Sequence, residues 1–327
     1  VALARADASG KIIWRPVNAC ILFMGMLEGA SITTVEGLSD GAGGLHPVQQ
    51  AMVDFHASQC GFCTPGFVMS LFAAWCNGTG LEPENIDDTL AGNLCRCTGY
   101  RPIVDAGTAL AGMKLPAAEA ARRMIEAELL NQIAHNETVQ LTDQKIRFVA
   151  PANGEDFADF YSENPDATIV SGATDVGLWV TKQQRHLPTM LWTGRVSGFA
   201  EIDDKAGVLR IGPAVTHQQA LADLAARWPD FGEVMRSFGS LQVRSSGTMC
   251  GNIANGSPIG DLPPMLIALG AEVELTAGKM SRRLPLEAFF KDYGVQDRQS
   301  GEFVSALLIP ANAGDHLRCY KISKRFD

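Results

Sequence analysis

The chain has 327 residues, 46% of them hydrophobic, and a formal net charge of −9, which is enough apolar content for two packed domains rather than one. It offers no basic run for nucleic acid or an anionic membrane surface, no apolar run as long as a membrane span, and no basic-then-apolar start of the signal-peptide kind. Eight cysteines over this length are too dilute for a small disulfide scaffold, so thiolate chemistry in a reducing cytoplasm is the expectation.

Both ends read as cut. The chain starts without Met inside an apparent strand, Val1 to Arg5, and stops mid-pattern at Lys324-Arg325-Phe326-Asp327. Residues 1–5 and 11–15 are extended segments around the turn Asp7-Ala8-Ser9-Gly10. They lead to Asn18-Ala19-Cys20. Cys20 reads either as a buried small hydrophobe or as the last ligand of a cluster whose other ligands precede residue 1, since plant-type [2Fe–2S] sites place one cysteine far downstream of three.

Residues 46–58 read as a helix opened by His46-Pro47, with Val48, Met52 and Phe55 at helical spacing. It delivers Gln59-Cys60-Gly61-Phe62-Cys63. A second helix is expected over 66–76, stopped by Asn77-Gly78-Thr79-Gly80, with Cys76 packed. A short one over Asp87–Leu94 delivers Cys95-Arg96-Cys97-Thr98-Gly99-Tyr100, and a fourth runs from Arg101 to about Met113. Cys60, Cys63, Cys95 and Cys97 form two close pairs. The one-residue arm between Cys95 and Cys97 is shorter than structural zinc sites commonly use, which favours a [2Fe–2S] site over zinc, free thiols or a disulfide.

Residues 114–145 read as a connector, helical in part and irregular from Asn131 to Thr142. A second domain opens near Phe148. Its expected elements are a helix over Glu155–Tyr161, a strand over Ala167–Val170 and a helix over Val176–Lys182. Leu209–Gly212 is a strand and His217–Trp228 an amphipathic helix, with His217 at the surface or as a cap. A short helix spans 262–269 and a strand Ala271–Leu275. Leu286–Phe290 is helical, Phe303–Ile309 is a strand, and Cys319–Ile322 begins another. Two stretches stand out. Ser171-Gly172-Ala173-Thr174-Asp175-Val176-Gly177 follows a strand and can turn backbone N–H groups toward a phosphate, although for this segment alone an ordinary strand-to-helix turn is the better reading. Val243 to Asp261 is rich in small polar residues and suits close approach to a large polar ligand. It includes Gly247, Gly251, Asn252, Asn255 and Ser257, and Asp261 is placed to accept hydroxyl hydrogen bonds.

These strings together resemble the molybdenum hydroxylases. Gln59-Cys60-Gly61-Phe62-Cys63-Thr64-Pro65-Gly66 with Asn93 to Tyr100 looks like the helical iron–sulfur domain of that family. Asn18-Ala19-Cys20 looks like the end of its ferredoxin-like domain, and the two glycine-rich stretches look like its FAD loops. The domain order is similar to that of bacterial xanthine dehydrogenase small subunits. The implied fold is α+β and multidomain: a helical [2Fe–2S] bundle, then an α+β FAD-binding domain of the xanthine dehydrogenase/CO dehydrogenase flavoprotein type, truncated at both ends. The implied boundaries are 1–30 (ferredoxin-like remnant), 31–115 (helical domain), 116–143 (linker) and 144–327 (FAD domain).

The resemblance further implies that Cys20 holds one cluster and that Cys60, Cys63, Cys95 and Cys97 hold a second. Gln59 and Cys97 would lie near a molybdopterin on a partner subunit. Residues 171–176, Ser246, Gly247, Gly251, Asn252, Asn255, Ser257, Asp261 and, more loosely, Tyr293 would bind FAD. Tyr293 is followed here by Gly294, where many animal forms have Arg. The implied activity is electron transfer from a molybdenum centre that hydroxylates hypoxanthine or xanthine, through two [2Fe–2S] clusters and FAD to NAD. The implied assembly is a heterotetramer of two small and two large subunits, with no catalytic residue in this chain. An aldehyde- or aromatic-substrate relative, and a zinc-stabilised interaction protein, are the alternatives.

Overall fold

The computed structural model of the chain describes residues 1–7, 10–39 and 44–322. Ala8 and Ser9 of the expected first turn, and the terminal Lys324 to Asp327, lie outside the described residues. The chain divides into two compact units. The first comprises Val1–Ala19, Leu27–His135 and Gly239–Val243, and the second Cys20–Met26, Asn136–Phe238 and the residues from Arg244 onward.

In the first unit, β1 (Ala2–Ala6), β2 (Ile12–Pro16) and β3 (Ser31–Thr33) form an antiparallel sheet of order β2-β1-β3. Alternation along β1 and β2 turns Ala2, Ala4 and Trp14 into the same core as the helices. The helices are α1 (Pro47–Asp54), α2 (Thr64–Asn77), α3 (Ile86–Leu90), α4 (Arg101–Ala109) and α5 (Ala117–Gln132). His46 caps α1 reciprocally: its Nδ1 accepts from the Val48 N–H at 3.2 Å, and Gln49 Oε1 accepts from the His46 N–H at 3.0 Å. Helix α1 stops short of residue 58 because His56 turns left-handed at φ 53°. Helix α3 ends at Leu90 rather than Leu94, before Gly92 at φ 95°. Helix α2 is almost wholly buried and ends at Gly78. Its Asn77 side chain hooks β2, donating to Trp14 O at 2.7 Å and accepting from Trp14 N–H at 3.0 Å.

The expected connector is a correction. In helix α5 the buried Glu119 carboxylate takes hydrogen bonds from Arg122 Nε at 2.7 Å and Arg123 Nε at 3.0 Å of the same helix, and Arg123 Nη1 ties the helix to α2 by donating to Cys76 O at 3.1 Å. The two guanidinium groups lie over Phe72 and Trp75. His46 Nε2 stands 3.7 Å away, beyond hydrogen-bond range. The segment expected as linker, 116–143, therefore divides into a docked helix and a strand of the second unit. Residues expected as a ferredoxin-like remnant divide likewise, 1–19 grouping with the helices and 20–26 with the second unit.

The second unit holds two larger sheets. The first has order β4-β5-β7-β6, from β4 (Val139–Asp143), β5 (Ile146–Ala150), β6 (Thr168–Val170) and β7 (Thr189–Trp192), with α6 (Gly154–Glu163) and α7 (Val176–Thr181) in its connections. Strands β5, β7 and β6 are parallel and β4 is an antiparallel edge. Strand β4 occupies residues expected to be irregular. The other sheet is antiparallel, of order β11-β10-β14-β9-β8, from β8 (Ile202–Lys205), β9 (Val208–Ile211), β10 (Glu272–Ala277), β11 (Met280–Pro285) and β14 (Phe303–Pro310). Helices α8 (His217–Arg227), α9 (Pro229–Arg236), α11 (Met249–Asn255) and α12 (Leu262–Ala268) share a core with it, and α10 (Leu241–Ser246) precedes α11. Strand β14 is buried along nearly its whole length, which is why it reads as a continuous apolar run. Helix α13 (Leu286–Phe289) leads to the hairpin β12 (Phe290–Asp292) and β13 (Val295–Gln296). Cys319–Ile322 forms no strand. No helix among the described residues is long and apolar enough to cross a membrane.

Burial pushes the Glu119 carboxyl up, but the facing His46, Arg122 and Arg123 outweigh it and hold the group well below its ordinary value of 4.5. Replacing Glu119 by Gln should cost about 2 kcal/mol at neutral pH, because two half-buried cations lose their counter-charge. The unfolded carboxyl takes its proton first as pH falls below 4.5, so the wild-type advantage is complete above that value and shrinks below it. Denaturation of both proteins across pH 3–7 measures the gap; a pH-independent gap would contradict the assignment.

Candidate redox cofactor sites

Two loops of the first unit carry the four thiols, each leading into a helix. Cys60 to Cys63 runs directly into α2, with Cys63 at its N-cap, and Cys95 to Tyr100 runs into α4. Ser58 Oγ and Thr64 Oγ1, 2.7 Å apart, close the first loop. Asn93 Nδ2 donates to Ser70 Oγ at 2.9 Å and anchors the second. The thiols interact crosswise between the motifs, Cys60 with Cys97 and Cys63 with Cys95, and more weakly within each loop. Cys60 and Cys97 are exposed, Cys63 is half-buried and Cys95 is buried.

Their acidities differ for local reasons. The Thr98 hydroxyl, the Thr98 N–H and the Cys97 N–H pull the Cys95 thiol down to about 7, whereas burial pushes Cys63 up to about 11. The Phe62 N–H lowers Cys60, and its contact with Cys60 raises Cys97. Among the described residues no three His, Cys, Asp or Glu side chains converge to hold a single ion. Two thiol pairs suit a two-iron core, in which each iron takes two protein sulfurs. Gln59 lies next to Cys60 in the loop, and Phe62 and Leu94 beside the thiols are 94% and 83% exposed. Cys20 is exposed within a 3₁₀ turn. Cys76 packs against the first core, its thiol pushed up to about 12 by burial.

The second unit brings the two glycine-rich stretches together. Ala173 is left-handed at φ 58°, and among the described residues the N–H groups of Gly172, Ala173, Thr174 and Asp175 find no acceptor. Consecutive N–H groups around such a reversal form a concave anion site. A Cβ on Gly172 would lie 1.9 Å from Ser246 O, so the second stretch passes directly against the first. Thr248 Oγ1 donates to Ser171 Oγ at 3.0 Å, and Asn255 donates to the Asp175 carboxylate. The stretch is not all loop: Thr248 caps α11 by accepting from Gly251 N–H at 3.1 Å. Among the described residues the buried Oδ1 of Asn252 has no partner, as an atom reserved for a ligand would. Ser257 O accepts from the Gly260 N–H at 3.0 Å, turning the chain toward Asp261.

His217 stands differently from expectation, and Asp261 and Tyr293 have surroundings that no local motif marks. Asp261 is ion-paired with Lys321 Nζ at 3.3 Å, a lysine far downstream with no local motif to mark it. His217 is buried, not at the surface. Its Nδ1 lies 3.3 Å from Met249 Sδ, its N–H donates to Gly247 O at 3.0 Å, and burial with Arg244 nearby lowers its pKa to about 4, leaving a neutral post under the second stretch. Tyr293 stands 81% exposed at the β12–β13 tip, while Gln296 at the hairpin's base donates to Ala254 O at 2.7 Å and ties the hairpin to α11. Cys250 is a packed thiol, pushed up to about 12 by burial.

Residues 144–312 match the family model described as FAD binding domain in molybdopterin dehydrogenase, and residues 34–108 match that of a [2Fe-2S] binding domain. A xanthine dehydrogenase of Dictyostelium discoideum is 27% identical over 96% of this chain and 28% of its own length. An aldehyde oxidase 2 of Macaca fascicularis is 26% identical over 90% of this chain and 26% of its own. The chain thus spans about a quarter of the length of these relatives. A quinoline 2-oxidoreductase structure from Pseudomonas putida 86 aligns at 23% identity and TM-score 0.49 over 53% of this chain and 61% of that one, a likeness too partial to bear on function.

The Gly172 contact gives a direct test. A Cβ 1.9 Å from a backbone oxygen must push the two stretches apart. Gly172→Ala should therefore destabilise the second unit by about 1–3 kcal/mol and reduce flavin per chain. Thermal melts and flavin released on denaturation measure both; unchanged flavin content would place the cofactor elsewhere.

Proposed function

This chain belongs to the molybdenum hydroxylase family, as a [2Fe–2S]/FAD electron-transfer module, and we propose that it serves a xanthine dehydrogenase. In that reading it carries electrons from a molybdenum centre on a partner subunit, which hydroxylates hypoxanthine or xanthine, toward FAD and NAD. The observation that carries it is the presence on one polypeptide of crosswise thiol pairs and a cradle of free N–H groups. Family membership also sets aside the zinc-stabilised alternative.

Cys60, Cys63, Cys95 and Cys97 would hold one [2Fe–2S] cluster, and Cys20 would contribute to another. Residues 171–176 would cradle the FAD diphosphate with N–H donors, and the stretch from Ser246 to Ser257 would close on it. Asp261, paired with Lys321, would meet the nucleotide's hydroxyls, and Tyr293 would stand near the nucleotide. When bound, the clusters supply one-electron and the flavin two-electron carriage. The protein's part is to position them and exclude water. Gln59 and Cys97, beside the exposed Phe62 and Leu94, would face the pterin of the large subunit; an exposed apolar rim around a redox site supports such a partner. The assembly would be a cytoplasmic heterotetramer of two small and two large subunits.

A second reading rests on the aldehyde oxidase, which matches about as well as the xanthine dehydrogenase. Reconstitution with the molybdenum-binding subunit separates the two. Xanthine-dependent NADH formation is expected; turnover of aldehydes alone would transfer the module to the second reading. Within this chain, Cys95→Ser should abolish the four-thiol cluster while flavin stays bound. Iron, sulfide and flavin analysis measures this, and wild-type iron in the variant would remove Cys95 from the ligand set.

A further inference from the structure

We propose that Thr98 is a positioning residue that raises the reduction potential of the four-thiol cluster by donating its hydroxyl proton to Cys95 Sγ. The inference rests on the cluster reading above and on one closed set of contacts. Thr98 Oγ1 lies 3.1 Å from Cys95 Sγ, and the Thr98 N–H points at the same sulfur at 3.5 Å. Between two protonated groups the direction of the first bond is open. A sulfur bound to iron carries no proton, so the hydroxyl must be the donor.

The loop fixes that direction further. Thr98 Oγ1 accepts from the Tyr100 N–H at 3.2 Å, which occupies a lone pair and polarises the O–H toward sulfur. Tyr100 Oη in turn accepts from the Cys95 N–H at 3.1 Å, closing the ring of contacts on the residue where it began. Folding the chain back this way requires a non-glycine residue in the left-handed region, Tyr100 at φ 67°. Such strain persists only where neighbouring contacts enforce it. Here its ring lies 6.4 Å from that of the buried Phe67. Among the described residues no other hydroxyl reaches one of the four thiols; Cys60 takes the backbone N–H of Phe62.

A donor to a ligand sulfur stabilises the reduced cluster, which carries one more negative charge, over the oxidised one.

The test compares the full chain with Thr98→Val, which keeps the shape and removes the donor, and with Thr98→Ser, which restores it. Iron and sulfide are measured first: a wild-type protein that assembles no cluster at four intact thiols overturns the cluster reading, not this one alone. The cluster potential then comes from a dye-mediated titration followed by electron paramagnetic resonance. Thr98→Val should disfavour reduction on the order of tenfold, about 59 mV for a one-electron couple, with Thr98→Ser near wild type. An unchanged potential in fully iron-loaded Thr98→Val overturns the proposal. Should Thr98→Val fail to assemble, the wild type and Thr98→Ser still decide it. Their Fe–S(Cys) stretching bands should shift between H₂O and D₂O, and bands identical in the two solvents overturn it.

Discussion

Four sulfur atoms gathered at one place repel one another as thiolates and contribute little packing, so the loops that carry them must be held by something else. The first unit supplies that hold through hydrogen bonds to its most buried helix. Asn93 reaches Ser70 on α2, Ser58 closes on Thr64 at the start of α2, and Asn77 at its far end hooks β2. With Phe67, Leu71 and Phe72 fully buried, α2 is the rigid post against which both motifs are set. The Glu119 cluster extends the same logic to α5: the buried carboxylate holds Arg122 and Arg123 over Phe72 and Trp75, and Leu130 adds to the core, while Met124 and Ile125 remain exposed.

The second unit meets a different demand with different means. A diphosphate needs many donors and close approach. Small residues let the backbone of Ser246 pass against Gly172, and hydroxyls on Ser171 and Thr248 lock the two stretches in register. The support comes from behind: a neutral histidine, a packed thiol at Cys250 and the side chain of Gln296 on the end of α11. None of these carries a free charge, so the second stretch is held by shape and by paired dipoles.

What the sequence discloses follows from range. The thiol motifs are legible because their spacing is local, and β14 because a strand covered on both faces is a continuous apolar run. Strand β4 is not legible. Val139 to Asp143 is a mostly exposed edge, and its alternation, Val139 and Leu141 against Gln140 and Thr142, is too short to stand out inside a polar segment. Helix α11 is hidden because Cys250, Gly251 and Asn252 have weak helical preference, and the Thr248 cap with tertiary packing overrides it. Glu119 looks like one more charge on an Ala/Glu-rich helix until Arg123 and His46 surround it. Lys321 and the crosswise thiol pairing are facts of the folded chain alone, since each joins residues that no local pattern relates.

The cradle of backbone N–H groups also bears on how the flavin is acquired. Dipoles fall off steeply, so N–H groups such as these would grip a diphosphate in contact without drawing it from a distance, and Lys321 is paired with Asp261. A chain of net charge −9 repels an anionic dinucleotide at long range. Electrostatics would then accelerate capture little, and occupancy would rest on slow release. Such a cofactor behaves less as an exchangeable ligand than as a component acquired once, during maturation of the protein.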